Sequence, residues 1–379
     1  MRGAGVAHFK GHPPQSARGI SPAPEYIHRW RRVRPRIDPL VRVTLLTIVV
    51  AAVKAVLVRR PILERQSAEI STADLKLDLQ KTIGDHFTMR LLLVISILGI
   101  ASSPLAAQQV ARAVYIDPPR DSAHPARMVV LHVPSGGVKI NGVAYLASGA
   151  GVHPTLVLFH GLPGNEKNLD IAQAVRRNGW NAITVNYRGS WGSPGEFRFA
   201  NNLEDADALL AFLRDSANAR SLGIDTSRLV IGGHSMGGWV TALTAAHDRG
   251  IIGAILISMA DASRLASLPR PRAVSVMADD MESLAGVTAE SMADEVVANA
   301  TKWRVADRVS QLTRLPLLVI TSNDGLAPES DSLVKAVRAK GNASVTSIHF
   351  PTDHSYSDKR IALESSILGW LNRLPRRLR

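Results

Sequence analysis

A chain of 379 residues, 46% hydrophobic and 20% charged, carries enough apolar material for one large domain or two ordinary ones. It has no cysteine, which excludes disulfide staples, thiolate metal sites and a lipidated N-terminal cysteine while leaving the compartment open. The net charge of +13 suggests a polyanion partner until it is located: residues 1–88 hold 15 Lys/Arg against 7 Asp/Glu and residues 89–379 hold 30 against 25, so the excess belongs mainly to the N-terminal stretch and no nucleic-acid partner is expected.

Residues 1–36 are rich in Pro, Gly and Arg without sustained periodicity and read as disordered. An apolar stretch follows at 43–58, short for a membrane span and interrupted by Lys54, so membrane attachment there is an open alternative. Met89-Arg90, the apolar run Leu91 to Ala101 and the small-residue segment ending at Ala107 then reproduce the n-region, h-region and cleavage site of a signal peptide. The expectation is that translation begins at Met89, that 1–88 is a disordered or spurious extension, and that 89–107 is a signal peptide or hydrophobic anchor. The mature chain of an exported protein, periplasmic or extracellular, then starts near Gln108.

From Met128 strands and helices alternate. Two strands at 128–133 and 137–147 form a hairpin around Pro134-Ser135-Gly136. A continuous apolar run at 155–160 predicts a strand buried on both faces, 229–232 and 251–258 read as further buried strands, and 182–187, 316–321 and 343–350 as strands. Helices are expected at 168–178, 202–215, 236–247, 331–340 and 359–374. Residues 261–312 contain no clear strand and read as a small helical cap. Alternating β and α units of this kind build a mostly parallel sheet with helices on both faces.

The chemistry converges on Gly233-His234-Ser235-Met236-Gly237-Gly238, where a buried strand turns into a helix. Gly233-x-Ser235-x-Gly237 is a nucleophile-elbow pattern, in which small residues let neighbouring backbone approach a strained serine. A serine hydroxyl needs a base, and the base a carboxylate to orient it. Asp324 and His354 follow the strands at 316–321 and 343–350, at the strand ends where such groups gather, and the order Ser235, Asp324, His354 suits this topology. Asp353 is the runner-up acid; His349 should point inward or bond to backbone, and His247 should close the elbow helix. Oxyanion donors are expected from the N–H groups of Met236 and Leu162, the latter in the loop His160-Gly161-Leu162-Pro163-Gly164. No spacing suggests a metal, a dinucleotide loop or a Walker loop, so no cofactor is expected.

These marks resemble the α/β-hydrolase family of serine hydrolases, over roughly 128–374. The resemblance implies a central eight-stranded, mostly parallel sheet, a Ser-Asp-His mechanism and a small ester or short peptide as substrate. The segment Asn186 to Gly195 is similar to the loop after the fourth strand in esterase-like and prolyl oligopeptidase-like members, and without an N-terminal propeller a size-selecting oligopeptidase is not expected. Arg188 in that loop is expected to pair with a carboxylate rather than touch substrate, and Trp191 and Trp239 to pack in the core. An aspartate at the elbow would mark a haloalkane dehalogenase or epoxide hydrolase; Ser235 argues against both. An ester is the leading substrate, with amide and thioester bonds, or a silent binding protein on the same fold, as alternatives. Acyl preference and oligomeric state are not written in the sequence.

Overall fold

The computed structural model describes residues 110–375; the segments read as an extension, an apolar stretch and a signal peptide lie outside the described residues. Strands β1 (Arg127–Ser135), β2 (Val138–Leu146), β3 (His153–Phe159), β4 (Asn181–Val185), β5 (Ile224–His234), β6 (Ile251–Ile257), β7 (Leu317–Thr321) and β8 (Val345–His349) form one eight-stranded sheet in the order β1-β2-β4-β3-β5-β6-β7-β8. The first two pairings, β1 with β2 and β2 with β4, are antiparallel and all others are parallel. Among the described residues no helix is long and apolar enough to cross a membrane.

Parallel strands need crossover helices, and these cover the sheet on both faces. In β3, Leu156 and Leu158 point into one hydrophobic cluster and Val157 and Phe159 into the other, as a two-residue period requires. The cluster of Val157 and Phe159 contains α3 (Phe199–Arg214), α5 (Met236–His247) and α9 (Ala327–Ala339); that of Leu156 and Leu158 contains α2 (Leu169–Arg177) and α10 (Arg360–Arg373). A short α1 (Arg112–Tyr115) rests beside α2, where Arg177 Nη2 donates to the Val114 carbonyl at 3.1 Å.

Several boundaries moved for identifiable reasons. The first hairpin turns at Gly136-Gly137, with φ of 53° and 80°, rather than at Pro134; β1 runs on to Ser135, paired with Val138. Pro134 is tolerated because β1 is an edge strand. Helix α3 starts at Phe199 rather than near 202 because the Glu295 carboxylate accepts from the Phe199 and Ala200 N–H groups at 3.1 and 2.9 Å. That cap arrives from a helix almost a hundred residues away. The unanticipated α4 (Ser216–Leu222) is held by Asp215, whose side chain accepts from Ala217 and Asn218 N–H, and by Gly223 at φ 61°.

Between β6 and β7 the insert is helical, with α6 (Arg270–Ala278), α7 (Ala289–Trp303), α8 (Val309–Leu312) and 3-10 turns at Ala262–Ser267 and Val305–Arg308. Trp303 packs edge-on against Trp239 at 5.4 Å and accepts its indole N–H at 3.1 Å through the backbone carbonyl, so Trp239 is a core residue. A strap at 283–286 is laced to the loop after β4: Trp191 N–H donates to Ser283 O, Ala285 N–H to Gly189 O and Phe197 N–H to Ala285 O. Arg188 heads that loop and pairs with buried Asp205 at 2.7 Å and with Glu204 at 2.6 Å, as the carboxylate reading anticipates.

Removing one partner of a buried pair strands the other. Asp205→Ala should therefore cost about 3–5 kcal/mol in urea unfolding. An unchanged midpoint would mean that Glu204 alone satisfies Arg188.

Candidate active site

Ser235 sits between β5 and α5 at φ 56°, ψ −123°, a conformation that side chains resist. The close packing around it explains the glycines. A Cβ on Gly237 would lie 2.1 Å from the Phe159 carbonyl oxygen, and one on Gly233 would lie 2.2 Å from the Gly237 oxygen. Backbone bonds then fix the serine: its N–H donates to Ile257 O at 2.9 Å and its carbonyl accepts from Ala260 N–H at 3.1 Å.

His354, in the loop after β8, holds Asp324 Oδ2 at 2.8 Å through Nδ1. Its side chain is 39% exposed and that of Asp324 only 4%. Burial by itself would raise the Asp324 carboxyl, but the nearby Ser258 hydroxyl, the bond to His354, the Leu326 N–H and the Ser322 hydroxyl together outweigh it and hold it at about 2. The acid is therefore ionised at neutral pH. His354 is brought beside the Ser235 turn by His234, whose Nε2 is 2.8 Å from the His354 carbonyl oxygen and whose ring lies 4.4 Å from the His354 ring. Asp353, exposed, instead accepts from the Ser357 N–H.

The loop after β3 faces the serine from the other side. A Cβ at Gly161 would stand 3.0 Å from Ser235 Cβ and 3.6 Å from its Oγ, so only glycine leaves this space open. Leu162 N–H makes no hydrogen bond among the described residues, and Met236 N–H opens α5, where first-turn donors lack helical acceptors. Buried His160 bonds the Gly161 carbonyl through Nδ1 at 2.7 Å, and a Cβ at Gly164 would press 2.4 Å from that nitrogen. Trp191 donates its indole N–H to Pro163 O at 2.7 Å, with Lys167 4.2 Å above its ring. Thus Trp191 is not simply core packing, as the sequence suggested: it clasps the loop that carries Leu162.

Other histidines are engaged elsewhere. His349 is exposed and bonds the side chains of Thr321 at 2.9 Å and Asn323 at 3.0 Å, contrary to the expectation that it would turn inward or meet backbone. In β8 its alternation places it outward, where it braces the loop that carries Asp324. His247 ends α5 and pairs with Asp207 at 2.8 Å. A cavity of about 430 Å³ between α9 and the insert, walled by Met259, Val305, Val309 and Leu333, has none of Ser235, His354, Leu162 or Met236 in its lining. Among the described residues no group of three or more His, Asp or Glu side chains converges as metal ligands would.

The model of a family described as "Alpha/beta hydrolase family" matches residues 156–358, more than half of the chain. The chain belongs to the alpha/beta hydrolase family. No curated protein sequence matches this hydrolase. Among solved structures, it is similar to an esterase of Pyrobaculum calidifontis (20% identity, TM-score 0.50, covering 66% of this chain and 86% of that one). It is also similar to Est1E of Butyrivibrio proteoclasticus with bound ferulic acid (17%, 0.53, 65% and 98%). A third is the Pyrococcus horikoshii acylaminoacyl peptidase (17%, 0.52, 67% and 43%). At these identities the likeness is one of fold.

His234 and His160 were visible in the sequence only as neighbours of the elbow and the loop; their work depends on tertiary contacts. Burial pushes each of these imidazoles down to about 4, so the hydrolase holds both neutral at pH 7. A histidine lowered on folding contributes stability that is complete above its unfolded value near 6.5 and lost as pH falls toward 4. Between pH 7 and pH 5 the native protein should therefore lose about 2 kcal/mol more unfolding free energy than a His234→Asn variant. Parallel pH profiles of stability from urea titrations would show that this histidine is not buried neutral.

Proposed function

We propose that this hydrolase cleaves carboxylic esters through an acyl-enzyme formed on Ser235. The observation that carries the reading is the 2.8 Å bond between His354 Nδ1 and the buried, ionised Asp324, tied beside the Ser235 turn by His234. With Nδ1 engaged, His354 Nε2 is the nitrogen left to take the serine proton. Ser235 Oγ attacks the carbonyl carbon, and the oxygen that gains charge is met by the Leu162 and Met236 amides. His354 passes its proton to the departing alkoxide, then activates water to cleave the acyl-enzyme and regenerate the serine. Each amide donor contributes about 2.7–4 kcal/mol to such a transition state.

The same apparatus cleaves amides, and one of the similar folds is a peptidase, so the leaving group separates the two readings. A fluorophosphonate should label Ser235 in the folded protein and fail on Ser235→Ala. A p-nitrophenyl acyl series should be turned over faster than aminoacyl-anilides; exclusive anilide cleavage overturns the ester reading, and absence of labelling overturns nucleophilic catalysis altogether. The proposal also specifies the role of Gly161. Gly161→Ala should keep the circular dichroism spectrum and lose on the order of 100-fold in kcat/KM, because a methyl group then sits against the nucleophile. Full activity in this variant would place substrate elsewhere.

A further inference from the structure

His354 is held at its side chain by Asp324 and at its carbonyl by His234, and the next carbonyl along the chain has a holder of its own. Arg360, the first residue of α10, donates to Ser355 O through Nη1 at 3.1 Å. Its other two nitrogens leave the His354 loop altogether. Nε and Nη2 fork onto the two carboxylate oxygens of Asp170 at 2.7 and 2.5 Å, and Nη2 also meets the Asn168 side-chain oxygen at 3.1 Å. Asp170 lies in the first turn of α2, and Asn168 immediately precedes that helix, where the loop bearing Gly161 and Leu162 ends.

The receiving end is itself fixed. Asn168 is buried and left-handed at φ 57°, a conformation that a non-glycine residue keeps when its surroundings over-determine it. Its N–H donates to the Glu166 carboxylate at 2.5 Å and its carbonyl accepts from the Ala172 N–H at 3.1 Å. A guanidinium presents its donors in one rigid plane, so the fork on Asp170 also sets the direction of Nη1. One side chain thereby fixes the separation between the loop after β8 and the start of α2.

We infer that Arg360 is a positioning residue, a strut that holds the loop of His354 in register with the loop of Leu162. Its role rests on His354 being the base and the Leu162 amide an oxyanion donor, as proposed above. Base and donor serve the same reacting carbonyl, so an error in their spacing is felt at the transition state. The ion pair adds little to stability by comparison, because the Asp170 side chain is 38% exposed and solvent screens the attraction. Loosening the strut therefore acts on rate more than on folding.

The test compares Arg360→Lys, Asp170→Asn and the double variant with the native protein. It reads kcat and KM for a p-nitrophenyl ester, the rate of fluorophosphonate labelling at Ser235, and the urea midpoint. Lysine keeps the charge but cannot reproduce the fork on Asp170 together with the reach to Ser355 O. Arg360→Lys should lower kcat and kcat/KM equally, about 10-fold, with KM unchanged, and should slow labelling by a similar factor. Asp170→Asn should do the same from the other end, and the double variant should be no worse than the more impaired single one, because both break one strut. Additive losses, or a lowered urea midpoint with kcat and labelling rate unchanged, overturn the strut. If the native protein is labelled but turns over no p-nitrophenyl ester, the ester reading fails and the labelling rates alone decide the strut. If the native protein is not labelled at Ser235, the nucleophile assignment fails and takes the strut with it.

Discussion

The arrangement depends on a single backbone constraint, the reversed turn at Ser235. A residue at φ 56° is costly for any side chain, and it is retained here because four main-chain bonds hold it. Its N–H is bound by Ile257 at the end of β6, while its carbonyl accepts from Gly238, Trp239 and Ala260. The carbonyl ends of β3 and β6 must come within van der Waals contact of the turn to do this. That approach is available only where positions 233 and 237 have no side chain.

Around the turn, charge is distributed unevenly. The two imidazoles that support the loops, His160 and His234, are buried and neutral, and the one carboxylate at the centre, Asp324, is held ionised by donors. Neutral supports add no competing charge, so under the proposed mechanism the attraction between Asp324 and an imidazolium formed at His354 would stay undiluted. In a partly dry site such an interaction is worth considerably more than in water. His349 extends the same logic outward, bonding Thr321 and Asn323 on the strand and loop that deliver the acid.

The sequence made the central strands readable because parallel strands buried on both faces are continuous apolar runs: 155–160, 251–258 and 316–321 lie within two residues of the observed ends. The turn at Ser235 was readable because its glycines are steric requirements at fixed spacing. Asp324 and His354 could be read as a pair because both stand just beyond a strand, and their side chains bond at 2.8 Å. What stayed hidden was set by partners distant in the chain. The start of α3 is fixed by Glu295, and the bond between His234 and the loop of His354 exists only in the folded chain. α4 was missed although Asp215 and Gly223 flank it, because its short sequence has no apolar period. Arg188 was expected to find a carboxylate, but the sequence could not say that Asp205, 17 residues away, was the one.

The insert between β6 and β7 bears on the site through backbone as much as through any surface it presents. Its strap exchanges main-chain hydrogen bonds with Gly189, Trp191 and Phe197, and Trp191 in turn holds the Pro163 carbonyl beside Leu162. The amide of Leu162 is therefore positioned by a chain of contacts that begins in the insert, not by β3 alone. Under the proposed mechanism, substitutions in the insert would thus have two separable routes to the chemistry: changing the shape of the space above Ser235, or changing the aim of the Leu162 amide. Only the second would alter the stabilisation of developing charge while leaving the fit of a substrate intact, because an oxyanion donor acts on the charged oxygen rather than on the ground-state carbonyl.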